Sequence, residues 1–119
     1  MIEPKELITE SILFSANWKE DERRKHYVYL TKTKLYQYVY YEDSKSYVYN
    51  VCPVKDFGDI HCQAYSHVPP GNHDTACRSC VTISSRYGHA LLNSFGFPTS
   101  EEGARAAEKL YVALSKVME

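Results

Sequence analysis

The chain has 119 residues, a net charge of −1 and an apolar content of 44%. That size suits one domain with a real core. The near balance of 14 Lys and Arg against 15 Asp and Glu argues against a dedicated nucleic-acid binder, whose affinity comes largely from neutralising phosphates.

Eleven tyrosines point to sheet, where aromatic side chains are favoured. No stretch approaches the roughly 18 apolar residues that span a bilayer. The start, Met1-Ile-Glu-Pro-Lys-Glu-Leu7, lacks the positive-then-apolar pattern of a secretory leader. The expectation is a cytoplasmic protein whose four cysteines are thiols or metal ligands rather than disulfides.

Residues 8–18 read as a first strand with Ile8, Ile12 and Phe14 among its apolar positions. A charged connection follows, from Lys19 to Lys25. Residues 24–41 read as a hairpin turning at 31–34. Val28 and Leu30 alternate with Tyr27 and Tyr29, and Leu35 and Val39 alternate with Tyr36, Tyr38 and Tyr40. A period of two in aromatic and β-branched residues marks half-buried strands. Residues 47–51 form a fourth strand that Pro53 ends, since proline cannot donate to a ladder. Residues 59–65, 78–85 and 90–97 supply strands five to seven. A Pro-Pro-Gly-Asn loop follows His67, because that sequence continues neither a helix nor a central strand.

The period then changes. Thr99 and Glu102 fit a capping box, with Thr99 as N-cap of a helix over about 99–118. Ala104, Ala107, Tyr111, Leu114 and Met118 recur at steps of three and four, which makes one apolar stripe. The reading is a mainly β (α+β) chain: a seven-stranded, strongly bent antiparallel sheet or partly open barrel, capped by one C-terminal helix.

That element order resembles the pleckstrin-homology-like superfold, in particular its bacterial pleckstrin-like and GRAM-like members. A basic residue, an aromatic, a strand-ending leucine and a Leu-x-x-Tyr strand stand here as Lys25, Tyr27, Leu30, Leu35 and Tyr38. The ending Phe95-Gly-Phe97, with Ala104 and Ala113-Leu114 later, is similar to the last strand and capping helix of that superfold. Many members carry a tryptophan in the helix where Leu110 stands here. The resemblance covers most of the chain and implies a single pleckstrin-homology-like domain over 1–119. Fold alone does not set function.

Three constellations could carry chemistry. Lys19, Arg23, Arg24 and Lys25 lie where phosphoinositide-binding relatives clasp a head group, which the resemblance implies as an anionic-lipid site. Their N–H donors suit phosphate oxygens. Glu20, Asp21 and Glu22 share the loop and oppose that field; the competing reading is a solvated charged turn. The second is a Cys/His cluster. Cys77-Arg-Ser-Cys80 has metal-knuckle spacing, and Cys62 and His67 would complete a Cys3His zinc site, with His73 as a substitute. If 77–80 is already extended, its two thiols point to opposite faces and the cysteines are buried core residues. The third is the set Tyr27, Tyr29, Tyr36, Tyr38, Tyr40, Tyr47 and Tyr49, read as cross-strand packing or as a recognition face.

No nucleophile elbow or phosphate-cradling glycine loop occurs, and no Asp/Glu pair stands out. The expected function is a non-catalytic binding or scaffolding module for a protein or peptide partner, or for a second copy of itself, without a cofactor. The alternatives are a zinc-stabilised adaptor and a weak binder of anionic lipid.

Overall fold

In the computed structural model, residues 4–66, 78–88 and 90–119 are described. The described residues are mainly β, with seven antiparallel strands followed by one C-terminal helix. It divides into two compact units, Met1–Lys55 and Asp56–Glu119.

The first unit begins with a 3-10 turn at Pro4–Leu7. Its strands are β1 (Phe14–Lys19), β2 (Arg24–Leu30), β3 (Lys34–Tyr41) and β4 (Ser46–Pro53), in the order β1-β2-β3-β4. Each connection is a short hairpin. The ladder sets Phe14, Leu30, Leu35 and Cys52 in one cross-strand row. Val28, Leu30 and Leu35 on that face are fully buried, as the alternation in the sequence requires. Thr31 closes the β2–β3 turn: its N–H donates to the Lys34 carbonyl, and its hydroxyl accepts from the Lys34 N–H at 3.1 Å.

The first strand starts at Phe14, six residues later than the sequence suggested. From there Phe14, Ala16 and Trp18 alternate cleanly with exposed residues. Leu13 only joins the end of the ladder, its N–H donating to the Leu30 carbonyl at 2.7 Å. Glu10 takes a different task. Its Oε1 accepts from the hydroxyls of Thr33 at 2.6 Å and Thr31 at 3.2 Å, which ties the segment to the hairpin turn.

The second unit holds β5 (Phe57–Gln63), β6 (Ser79–Ser85), β7 (Leu91–Phe97) and α1 (Glu101–Val117), with sheet order β5-β6-β7. The helix packs on all three strands. Val81, Ile83, Phe95, Phe97, Ala107, Leu110 and Leu114 form its core. A bulge between Phe57 and Ile60 interrupts the β5–β6 register. Gly58 permits it, because a Cβ there would come within 2.9 Å of the Ser85 carbonyl oxygen. The Ser84 hydroxyl bonds both the N–H and the carbonyl of Asp59, replacing ladder bonds that the bulge removes.

Among the described residues no ladder joins the two sheets, so the seven strands do not close into one barrel. The helix also begins one residue later than the capping-box reading. Ser100, not Thr99, is the N-cap, its Oγ accepting from the Gly103 N–H at 3.0 Å. Leu110 is buried, whereas Tyr111, placed on the apolar stripe by the sequence, is 38% exposed.

Candidate functional site

Antiparallel partners share a face, so the register of the first sheet assigns every side chain. On one face the rows read Ser15, Tyr29, Tyr36, Val51; then Asn17, Tyr27, Tyr38, Tyr49; then Lys19, Lys25, Tyr40, Tyr47. All seven tyrosines singled out in the sequence therefore lie together. The opposite face carries the core.

The tyrosines touch one another in a connected set. Tyr38 sits at its centre, with ring centroids 6.5 Å from Tyr36, 5.6 Å from Tyr49, 6.2 Å from Tyr29 and 6.4 Å from Tyr47. Tyr40 and Tyr47 approach to 4.9 Å. Such pairs are each worth about 0.5–1.5 kcal/mol beyond burial. Tyr38 is buried at 4% exposure, while Tyr49 at the sheet edge is 66% exposed. Burial pushes the Tyr38 hydroxyl pKa above its ordinary value, and Tyr36 and Tyr49 add to the shift. The set thus has a packed centre and an open margin.

The four basic residues proposed from sequence separate. Lys19 and Lys25 are direct ladder partners on the tyrosine face, and the Lys25 ammonium lies 5.1 Å from the Tyr27 ring centre. Arg24 lies on the other face, where its Nε meets Glu20 Oε2 at 2.8 Å and its Nη2 meets Asp21 Oδ2 at 3.2 Å. Arg23 reaches Asp43 at 3.7 Å in the next turn, fully in solvent. Asp21 organises this turn by accepting from the backbone N–H groups of Arg23 and Arg24. The Arg23 N–H bond above all, with help from Arg24, holds its carboxyl below the ordinary value. Much of the loop's positive charge is therefore engaged by its own acids. A concavity of about 300 Å3 here is lined by Lys19, Lys25, Tyr27, Tyr40 and Tyr47 and equally by Asp21, Glu22, Arg23, Arg24 and Glu42, so it carries charges of both signs.

Sequence reasoning missed a cluster on the opposite face. Trp18 and His26 are ladder partners whose rings stack at 5.2 Å and 12°. His26 Nε2 lies 3.5 Å from Glu20 Oε2, the same oxygen that Arg24 holds. The alternation of β1 and β2 could have paired Trp18 with His26, but only the turn length fixes that register.

Of the proposed zinc ligands, Cys62 and Cys80 are described; His67 and Cys77, like His73, lie outside the described residues. Cys62 faces Val81 across the ladder and Cys80 faces Gln63, so the two thiols project to opposite faces of the second sheet. Cys80 Sγ donates to Gln63 Oε1 at 3.9 Å. Cys62 lines a cleft of about 540 Å3 with Ala64, Glu108, Tyr111 and Val112. Burial, then the negative charge of Glu108, then Cys80 raise its thiol pKa, the opposite of an activated thiolate. Among the described residues no group of three His, Cys, Asp or Glu side chains is placed to hold a metal ion, and Cys62 and Cys80 form no disulfide.

Among the described residues no helix is long and apolar enough to cross a membrane. No protein-family model, no curated protein and no solved structure matches the chain.

Proposed function

We propose that this protein is a non-catalytic recognition module of pleckstrin-homology-like type that binds a protein or peptide partner on the tyrosine face of its first sheet. The observation that carries this reading is the set of seven tyrosines on three adjacent strands, sharing one face and open at the β4 margin. Tyrosine combines a large rigid contact area with a polar tip and loses little conformational freedom on binding, which suits it to recognition. Packing alone would be served by phenylalanine at the buried centre and by smaller polar residues at the exposed edge. The strand order and the terminal helix support the superfold assignment, and a non-enzymatic role fits a face rich in contact groups and poor in paired acids and bases.

The test is a selection from a random peptide library displayed on phage, made against the full chain. The expected result is a set of binders that weaken about tenfold or more on Tyr49→Ser or Val51→Ser. Both residues lie on the tyrosine face and are exposed, so these changes leave the fold intact. Binders indifferent to both substitutions would place recognition elsewhere and sink the proposal.

A further inference from the structure

We infer that the chain pairs with a second copy of itself along the outer edge of β4, antiparallel and two-fold about Tyr49, so that the first sheets of the two copies join into one. This goes beyond the recognition reading above and does not rest on it.

The backbone carries the inference. β4 pairs with β3, and its other edge meets no strand among the described residues. The hydrogen bonds fix which residues point outward. The Val54 N–H donates to the Thr33 carbonyl at 2.8 Å, and these two residues face each other just beyond the Lys34–Pro53 pair. Bonded and non-bonded pairs alternate along an antiparallel ladder. Ser46, Val48, Asn50 and Cys52 therefore aim their backbone groups at β3, while Tyr47, Tyr49, Val51 and Pro53 aim theirs away from it. Pro53 agrees with this phase, because a sheet accepts proline where its missing N–H faces out of an edge. Among the described residues Tyr49 and Val51 make no backbone bond on the outer side. Such an edge is a template for another strand.

The side chains leave the template open. Tyr49 and Val51 are exposed on the tyrosine face, and Val48 is 60% exposed on the other. No residue of β4 carries a charge. The opposite edge strand of the sheet differs, since β1 ends in Lys19, the kind of residue that discourages edge pairing.

The same features select a second copy as the occupant. A two-fold contact uses one patch twice, so any charge near the axis would face its own image. β4 has none to face. With the axis at Tyr49, the two Tyr49 residues stand opposite each other and exchange two backbone bonds. Val51 then lies opposite Tyr47 of the second copy, and Val48 opposite its Asn50. Pro53 falls opposite Lys45, which lies outside β4, so this ladder needs no N–H from the proline. A strand running on past Pro53 would leave one carbonyl unmet there. Cross-strand partners share a face, so the tyrosine face runs on from one copy to the other, and the exposed Tyr49 rings become cross-strand neighbours.

The experiment is sedimentation equilibrium of the full chain alone, from micromolar to millimolar concentration. The expected result is a reversible equilibrium between 13.7 kDa and twice that mass. Val51→Pro removes one outward N–H and keeps the bonds to β3. Tyr49→Lys sets two ammonium groups against each other across the axis. Each should weaken the dimer about tenfold or more, with circular dichroism showing that the variants are folded. Ser15→Lys, on the exposed edge strand β1, should leave the dimer unchanged. A monomer at every concentration overturns the inference. So does a dimer that survives Tyr49→Lys, or one that Ser15→Lys dissolves. Growth past the dimer overturns it as well, since a two-fold edge contact closes on itself. No peptide is present in this measurement, so its failure leaves recognition by the tyrosine face to be decided by the peptide selection.

Discussion

Tyr38 shows how a single residue holds a whole aromatic face together. Its ring touches four other tyrosines and is itself nearly inaccessible. Tyr38→Ala should therefore cost about 3–5 kcal/mol, the range for truncating a buried aromatic, measured by urea denaturation. Its hydroxyl pKa is raised above the ordinary 10.0, chiefly by burial. The unfolded chain then loses this proton first, so stability falls as pH climbs past about 10 towards the folded value and is untouched below it. Tyr38→Phe should flatten that alkaline slope in the denaturation midpoint. Alternation in the sequence exposed this face because the side-chain period of a strand is two. It did not reveal that Arg24 would leave the basic group, because a one-residue step moves a side chain to the other face. Lys45 holds a left-handed conformation, φ 50°, which costs a non-glycine residue about 1 kcal/mol. Lys45→Gly in the β3–β4 turn should recover part of that as a higher melting temperature.

At the scale of elements, the helix is the clearest case of a correct period with a shifted start. Thr99 and Ser100 both carry hydroxyls, so either could cap. The choice is made by Gly103, where any Cβ would overlap the Pro98 carbonyl oxygen. Only glycine lets the first turn pack on the chain that enters it, and Ser100 is three residues before it. Gly103→Ala should thus destabilise the protein although alanine is the better helix former; a gain in stability would contradict this close approach. Ser100→Ala removes one capping bond at a cost of about 1 kcal/mol, and Leu114→Ala should cost about 2–5 kcal/mol. Both are read from the helical ellipticity during denaturation. Tyr111 and Leu110 were interchangeable in the periodic pattern, since stripes through either obey steps of three and four. The packing of α1 on β5, β6 and β7 buries the leucine and leaves the tyrosine lining the Cys62 cleft.

For the whole molecule, the order of elements was legible because each strand announces itself locally, through alternation or through its terminating proline. Boundaries of the later strands fell within two residues of their expected positions for the same reason. The division into sheets of four and three strands was not legible, since it depends on which backbone edges meet, and side-chain pattern does not encode that. The separation of charge was equally hidden. A composition of 14 bases and 15 acids looks neutral, yet all acids of the first unit lie outside its strands. Hydropathy patterns register whether a position is wet, not the sign of the charge it carries.

The stacking of Trp18 on His26 gives the molecule a built-in optical gauge. Trp18 is the single tryptophan of the chain, and its ring rests on the β1–β2 ladder of the first unit. Light absorbed by the nearby tyrosines can pass to that indole, so its emission reports on the surroundings of Trp18 in this sheet. The single α-helix of the described residues belongs to the second unit, so far-ultraviolet ellipticity reports the other half. Following both signals through one thermal melt asks whether the two halves come apart together. Coincident curves mean that they share one cooperative transition; a gap between them would give each half a melting temperature of its own.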